Sequence, residues 1–124
     1  MILKGHVSSG RGDFAQWIEK LKDYYFKKTG LLLYPGTLNI RLDKPYDLPK
    51  KRIRLEKEEY GGTVSVNIVP CKIFGRKAFI LRTDANEAGT GHHSKNIIEL
   101  ASDVRLRDEH KLKDGDVVEV EVED

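Results

Sequence analysis

One cysteine, one tryptophan, one methionine and four prolines are spread over 124 residues. No apolar run approaches the roughly 20 residues that a membrane-spanning helix needs. Cys71 has no second cysteine with which to form a disulfide and no histidine at metal-ligand spacing, so neither a disulfide framework nor a zinc site is available. It reads as a small buried hydrophobe in a reducing compartment. A charge excess is lacking too: 22 Lys and Arg stand against 20 Asp and Glu, a formal net charge of +2, so bulk electrostatics makes no case for nucleic acid. There is no internal repeat, no low-complexity segment and no Walker A sequence. The opening Met1-Ile2-Leu3-Lys4-Gly5 has no signal-peptide core, and the expected location is cytoplasmic. The length is right for one domain over residues 1–124 that buries a core without staples.

What is present centres on Leu33-Tyr34-Pro35-Gly36-Thr37-Leu38-Asn39-Ile40-Arg41-Leu42, a Pro-Gly turn running into a strand. Period-2 geometry sends Leu38, Ile40 and Leu42 to one face and Thr37, Asn39 and Arg41 to the other. A hydroxyl and a carboxamide two residues apart are oxygen donors suited to a hard cation or a phosphate. The same pattern also describes a half-exposed strand whose Thr serves β-propensity and whose Asn ends a turn.

Upstream, Met1–Val7 reads as a first strand, followed by Ser8-Ser9-Gly10-Arg11-Gly12-Asp13. Phe14, Trp17, Ile18, Leu21 and Tyr25 then fall on one face of an amphipathic helix over about 14–28, with Asp13 as N-cap and Gly30 as C′ residue. A strand, a Gly-rich loop and a helix in that order can aim backbone N–H groups at an anion, with Arg11 adding charge; G-x-G alone also describes a plain connection. Downstream, Lys50, Lys51, Arg52 and Arg54 form either a nucleic-acid patch or a charged edge strand, and Glu56, Glu58 and Glu59 follow at once. Val64, Val66 and Ile68 alternate inward, Gly75 marks a hairpin, and Ala78–Leu81 is a strand. Residues 83–94 make a long polar loop, of the length that binding lids have. His92 and His93 are adjacent and would face opposite ways on a strand, which suits no shared zinc. Glu99 interrupts the apolar strand Ile97–Ala101, either turned outward or held by a partner or ligand. Leu106–Leu112 is a candidate short helix and Val117–Val122 a last alternating strand. About seven short strands, a long helix and loops at one end make a closed or nearly closed β-barrel with the helix across an opening.

Ser9-Gly10-x-Gly12 before a helix, Tyr34-Pro35-Gly36-Thr37-Leu38-Asn39, Pro70-Cys71-Lys72-Ile73, His93-Ser94 ahead of Glu99, Leu106-Arg107-Asp108 and Leu112-Lys113-Asp114-Gly115-Asp116 together resemble, in order, the CTP-dependent riboflavin kinases best known from archaea. The resemblance covers nearly the whole chain; its P-G-T-L-N core is specific, whereas L-x-D-G-D recurs in several small barrels. It implies a mainly β fold, a small closed six-stranded cradle-loop barrel of riboflavin-kinase type with one long helix and short helical turns. It also implies transfer of the CTP γ-phosphoryl group to the 5′-hydroxyl of riboflavin, with FMN and CDP as products. By the same resemblance Thr37 and Asn39 would hold Mg²⁺. Ser9, Gly10, Arg11, Gly12, Asp13 and Phe14, with Val104, Arg105, Leu106 and Arg107, would contact the nucleotide. His93, Ser94 and Glu99 would contact the flavin or its phosphate. The chain departs from the pattern where the family usually carries a third loop glycine: Phe14 stands there, either filling nucleotide space or packing beneath the loop. Glu99, as the lone polar residue of its strand, is the candidate to orient or deprotonate the attacking hydroxyl. The expected ligands are therefore riboflavin, FMN, CTP and CDP, on a monomer with no membrane or nucleic-acid partner. A non-catalytic flavin- or nucleotide-binding barrel is the alternative, and a nucleic-acid-binding barrel a more distant one.

Overall fold

The structure, a computed structural model, describes residues 1–10, 13–91 and 94–123, and at Asp13 the backbone alone. Seven strands carry the fold: β1 (Ile2–Ser8), β2 (Leu38–Leu42), β3 (Ile53–Leu55), β4 (Val66–Ile73), β5 (Arg76–Thr83), β6 (Ile97–Ala101) and β7 (Val117–Val122). Helices α1 (Asp13–Lys20) and α2 (Lys22–Thr29) follow β1, with the single turns α3 (Asp84–Glu87) and α4 (Leu106–Glu109) later in the chain. No described helix is long and apolar enough to cross a membrane.

All strand pairings are antiparallel, in the order β3-β4-β5-β6-β2-β1-β7, and a β4–β7 pairing closes the last six into a barrel. The closing strand changes partner along its length. Val66–Ile68 pairs with the edge strand β3 and Cys71–Ile73 with β7, and Pro70, which has no N–H to donate, falls between the two. The β4–β5 hairpin turns on Phe74 and Gly75, both at positive φ (53° and 72°), the geometry that matches strand twist in a two-residue turn. Strict alternation in β7 puts Val118, Val120 and Val122 inside, as its sequence predicts.

Two apolar clusters share the central strands. Val7, Ile40, Ile80, Ile98, Leu100 and Val120 fill the barrel interior. Ile68, Phe79, Leu81 and Ala101 project from the opposite, outer face and pack under Ile18 and Tyr25 of the helices. The helices therefore lie against the outside of the barrel rather than across an opening. The wall they cover is apolar on both faces, and burying Ile18, Tyr25 and Phe79 contributes about 1.5–3 kcal/mol each.

Three local expectations are corrected. The helix is two, bent at Leu21 (φ −109°, ψ 24°), although Leu21 N–H still bonds to Trp17 O (2.9 Å) and Tyr25 N–H to Leu21 O (3.0 Å). The first helical residue is Asp13 itself, so it is not the N-cap, while Gly30 does close α2 in the left-handed conformation. Trp17 and Val64, both expected inward, are 44% and 42% exposed.

One barrel mouth is sealed by a charge. Arg82, 3% exposed, points to the interior side of β5, where its guanidinium donates to the carbonyls of Tyr46, Lys95 (3.1 Å) and Ile97 (3.3 Å) and to Glu87 Oε1 (3.1 Å). Glu87 also accepts from Arg52 (3.0 Å) and from Leu48 N–H (3.1 Å), tying α3 to the segment before β3.

Candidate active site

The inward set Leu38, Ile40, Ile98 and Leu100 fixes where their neighbours go. Asn39 and Glu99 must face out of the barrel, and the register places them directly opposite one another on β2 and β6. Thr37, one residue before β2, donates its hydroxyl to Glu99 Oε1 at 2.9 Å. Thr37 thus bonds to the carboxylate and Asn39 stands beside it on the same face. Glu99 is turned outward from the barrel and is nonetheless only 5% exposed, because α1 and the residues after β5 roof the outer face there.

Gly10 passes directly over this cluster. A Cβ at Gly10 would stand 1.8 Å from Asn39 Nδ2, so any larger residue there would have to displace the buried carboxamide. The same stretch is fastened from the far end of the sequence. Ser9 donates its hydroxyl to Asp114 Oδ2 (2.7 Å), and Arg107 Nη2 donates to Asp114 Oδ1 (2.9 Å) and to Ser8 O (3.3 Å). The Ser9 hydroxyl and then the Arg107 guanidinium hold the Asp114 carboxyl below the usual carboxylate range.

Two recesses flank the cluster. The larger, about 320 Å³, lies between the barrel wall and α1, with Phe14, Trp17, Tyr25, Tyr60 and Val64 as apolar walls and Glu99 as its charged group. The smaller, about 50 Å³, runs between Gly36-Thr37-Leu38 and Val104–Arg107. Thr37 lines one and Glu99 the other, so the bond between them marks where the two meet.

Of the residues singled out by sequence, Thr37, Asn39, Glu99, Ser9, Gly10 and the 104–107 segment are brought to this junction. Val104 packs partly on the barrel core and Leu106 is buried; Arg105 pairs with Asp108 at the surface. Phe14 is buried in the second apolar cluster and walls the larger recess. Ser94 is exposed, its hydroxyl bonded to Asn96, and is not among the described residues lining the larger recess. Arg11, Gly12, His92 and His93 lie outside the described residues, as does the Asp13 side chain.

Sequence reasoning missed Tyr60 in the wall of the larger recess, pointed to Asn86 and Thr90 only through the lid-length loop 83–94, and took Trp17 for core because its spacing is that of the buried helix face. The two arginines of the basic run are engaged, Arg52 with Glu87 (3.0 Å) and Arg54 with Glu56 (2.7 Å) and Asp84 (2.9 Å), while Lys50 and Lys51 are exposed. The Arg54 contacts belong to the charged edge strand β3 and weaken the support for a nucleic-acid surface. Among the described residues no group of three or more His, Cys, Asp or Glu side chains is placed to hold a metal.

A closed six-stranded antiparallel barrel with a ligand-sized recess against its outer wall, abutting a smaller one across a Thr–Glu pair, offers a candidate small-molecule site on a cradle-loop barrel. Residues 7–122 match the family model CTP-dep_RFKase, described as the domain of unknown function DUF120. The chain belongs to this CTP-dependent riboflavin kinase family. It is 36% identical to a riboflavin kinase of Archaeoglobus fulgidus over 97% of its length, 30% identical to one of Staphylothermus marinus over 98%, and 35% identical to one of Pyrobaculum aerophilum over 97%. The matched region is 92% of the Staphylothermus protein but only 54% and 60% of the Archaeoglobus and Pyrobaculum ones, so the chain spans little more than half of those two relatives.

Proposed function

We propose that the chain transfers the γ-phosphoryl group of CTP to the 5′-hydroxyl of riboflavin, yielding FMN and CDP. The Thr37–Glu99 bond at the meeting point of the two recesses carries this reading. A fused-ring acceptor suits the larger recess, whose walls are aromatic and aliphatic with few polar groups, and its hydroxylated chain would extend toward Glu99. The smaller recess beside Thr37 and Val104–Arg107 has room for a phosphate group rather than a whole nucleotide, so the donor would set its phosphates there, near Ser9 and Gly10, and extend out of it.

Phosphoryl transfer asks a protein mainly for alignment and for neutralisation of charge. Glu99 accepts the proton of the attacking hydroxyl as the new O–P bond forms and the bond from the γ-phosphorus to the bridging oxygen breaks; CDP leaves with that oxygen. Thr37 holds the carboxylate in place through its hydroxyl. Arg107 offers positive charge at the edge of the smaller recess.

The donors present suit Mg²⁺: a hydroxyl at Thr37 and a buried carboxamide at Asn39, both neutral, beside the single carboxylate of Glu99. Such a set fits an ion that takes most of its ligands from phosphate and water. When bound, it would supply charge neutralisation at the β- and γ-phosphates. The test is direct: protein with riboflavin, CTP and Mg²⁺ should form FMN and CDP in equal amounts, and EDTA should stop the reaction. Riboflavin binding with no FMN formed under any nucleotide would leave a silent flavin-binding barrel.

A further inference from the structure

We propose that Asp114 is a positioning residue for the donor nucleotide, setting the shape of the phosphate-facing loop and the aim of Arg107 together; this rests on the phosphotransfer reading above. The Lys113-Asp114-Gly115-Asp116 turn does not need Asp114 for itself. Its internal side-chain bond is made by Asp116, which accepts from Lys113 N–H at 2.8 Å. Its backbone is docked on β1 by Gly115 N–H to Val7 O (2.7 Å) and Val7 N–H to Asp116 O (2.8 Å). Asp114 is thereby held at a fixed place beside the end of β1, with its carboxylate free to act elsewhere.

That carboxylate reaches Ser9, 105 positions away in the chain, and Arg107, and so joins two segments separated by most of the sequence. Each segment borders the candidate site: Ser9 precedes the Gly10 that covers Asn39, and Arg107 lines the recess next to Thr37. Both bonds to Arg107 are made at Nη2, one to Asp114 and one to the Ser8 carbonyl. A guanidinium has five N–H donors in a rigid plane, so two acceptors at one nitrogen fix that plane and leave three donors for phosphate oxygens. Exposed ion pairs contribute little to stability, and the Asp114 side chain is 57% exposed, so holding the fold together does not account for a carboxylate that grips both segments.

The proposal separates two variants. Asp114→Asn keeps an oxygen for Ser9 but loses the charge that holds Arg107, and Asp114→Ala loses both. Affinity for Mg–CTP, read by calorimetry, should fall about tenfold in the first and further in the second, whereas riboflavin affinity should stay within about twofold. Trp17 is the only tryptophan and lines the larger recess, so quenching of its fluorescence reads riboflavin independently. In turnover, KM for CTP should rise while KM for riboflavin does not. Unchanged CTP affinity in the folded variants, with only a lower melting temperature, would overturn the positioning role and leave the kinase reading standing. Failure of the wild-type chain to bind CTP at all would overturn both.

Discussion

Replacing Glu99 with glutamine isolates the one chemical act assigned to the chain. The substitution conserves volume at a site only 5% exposed, and the amide oxygen can still accept the Thr37 hydroxyl that now bonds to Oε1 at 2.9 Å. Geometry at the junction is therefore kept and proton acceptance is lost. General bases contribute about 10²–10⁴ in rate, so kcat should fall at least about a hundredfold, equivalent to about 3 kcal/mol of barrier. The apolar walls of the larger recess, Phe14, Trp17, Tyr25 and Tyr60, are untouched, and KM for riboflavin should stay within about twofold. FMN formation followed by chromatography under saturating CTP gives both numbers. A kcat within about threefold of wild type would refute the base assignment. A raised KM with unchanged kcat would make Glu99 a binding residue only.

Three further outcomes follow from other parts of the structure. Asn39→Ala should retain the fold, since one buried carboxamide is lost at a cost of about 1 kcal/mol, yet Mg²⁺-dependent FMN formation should be abolished; wild-type turnover would contradict the assignment of Asn39 to the metal. Arg82→Met removes the plug of the barrel mouth and leaves Glu87 without its most buried partner, a loss of about 3 kcal/mol or roughly 12 °C in melting temperature, and riboflavin affinity should weaken because the anchored segment carries Asn86 and Thr90. Arg54, through its hydrogen bonds, keeps the Asp84 carboxyl below its ordinary value; the stability this contributes is present above the unfolded pKa and is lost as pH falls through the lower folded one. The melting-temperature gap between wild type and Arg54→Met should thus be open at neutral pH and should close progressively below about pH 4.

Alternation was enough to read β7, whose bounds at Val117–Val122 match the apolar pattern because one face is buried and the other exposed, whereas β6 (Ile97–Ala101), buried on both faces, was legible only as an apolar run broken by Glu99. Alternation was less informative where both faces are covered. In β4 and β5 nearly every position is buried, and period 2 cannot tell an interior Ile80 from an outer Leu81 under the helices. The bend at Leu21 left no mark in the sequence, since neither proline nor glycine stands there. Trp17 sits at core spacing, but the face it belongs to overhangs a recess. Arg82 was illegible for a different reason: its acceptors at Tyr46, Lys95 and Ile97 come together only through the closed topology. The Thr37–Asn39 face, in contrast, followed from three alternating aliphatics and one turn, and Glu99 joined it by strand register.

The central claim is that acceptor and donor meet at the Thr37–Glu99 pair. Crystals of the chain grown with riboflavin and CDP measure this most directly. The ring should lie between Trp17 and Tyr60, its terminal hydroxyl beside Glu99 and the diphosphate beside Thr37 and Arg107. A flavin ring seated elsewhere, or a hydroxyl and a diphosphate on opposite sides of the barrel, would contradict it.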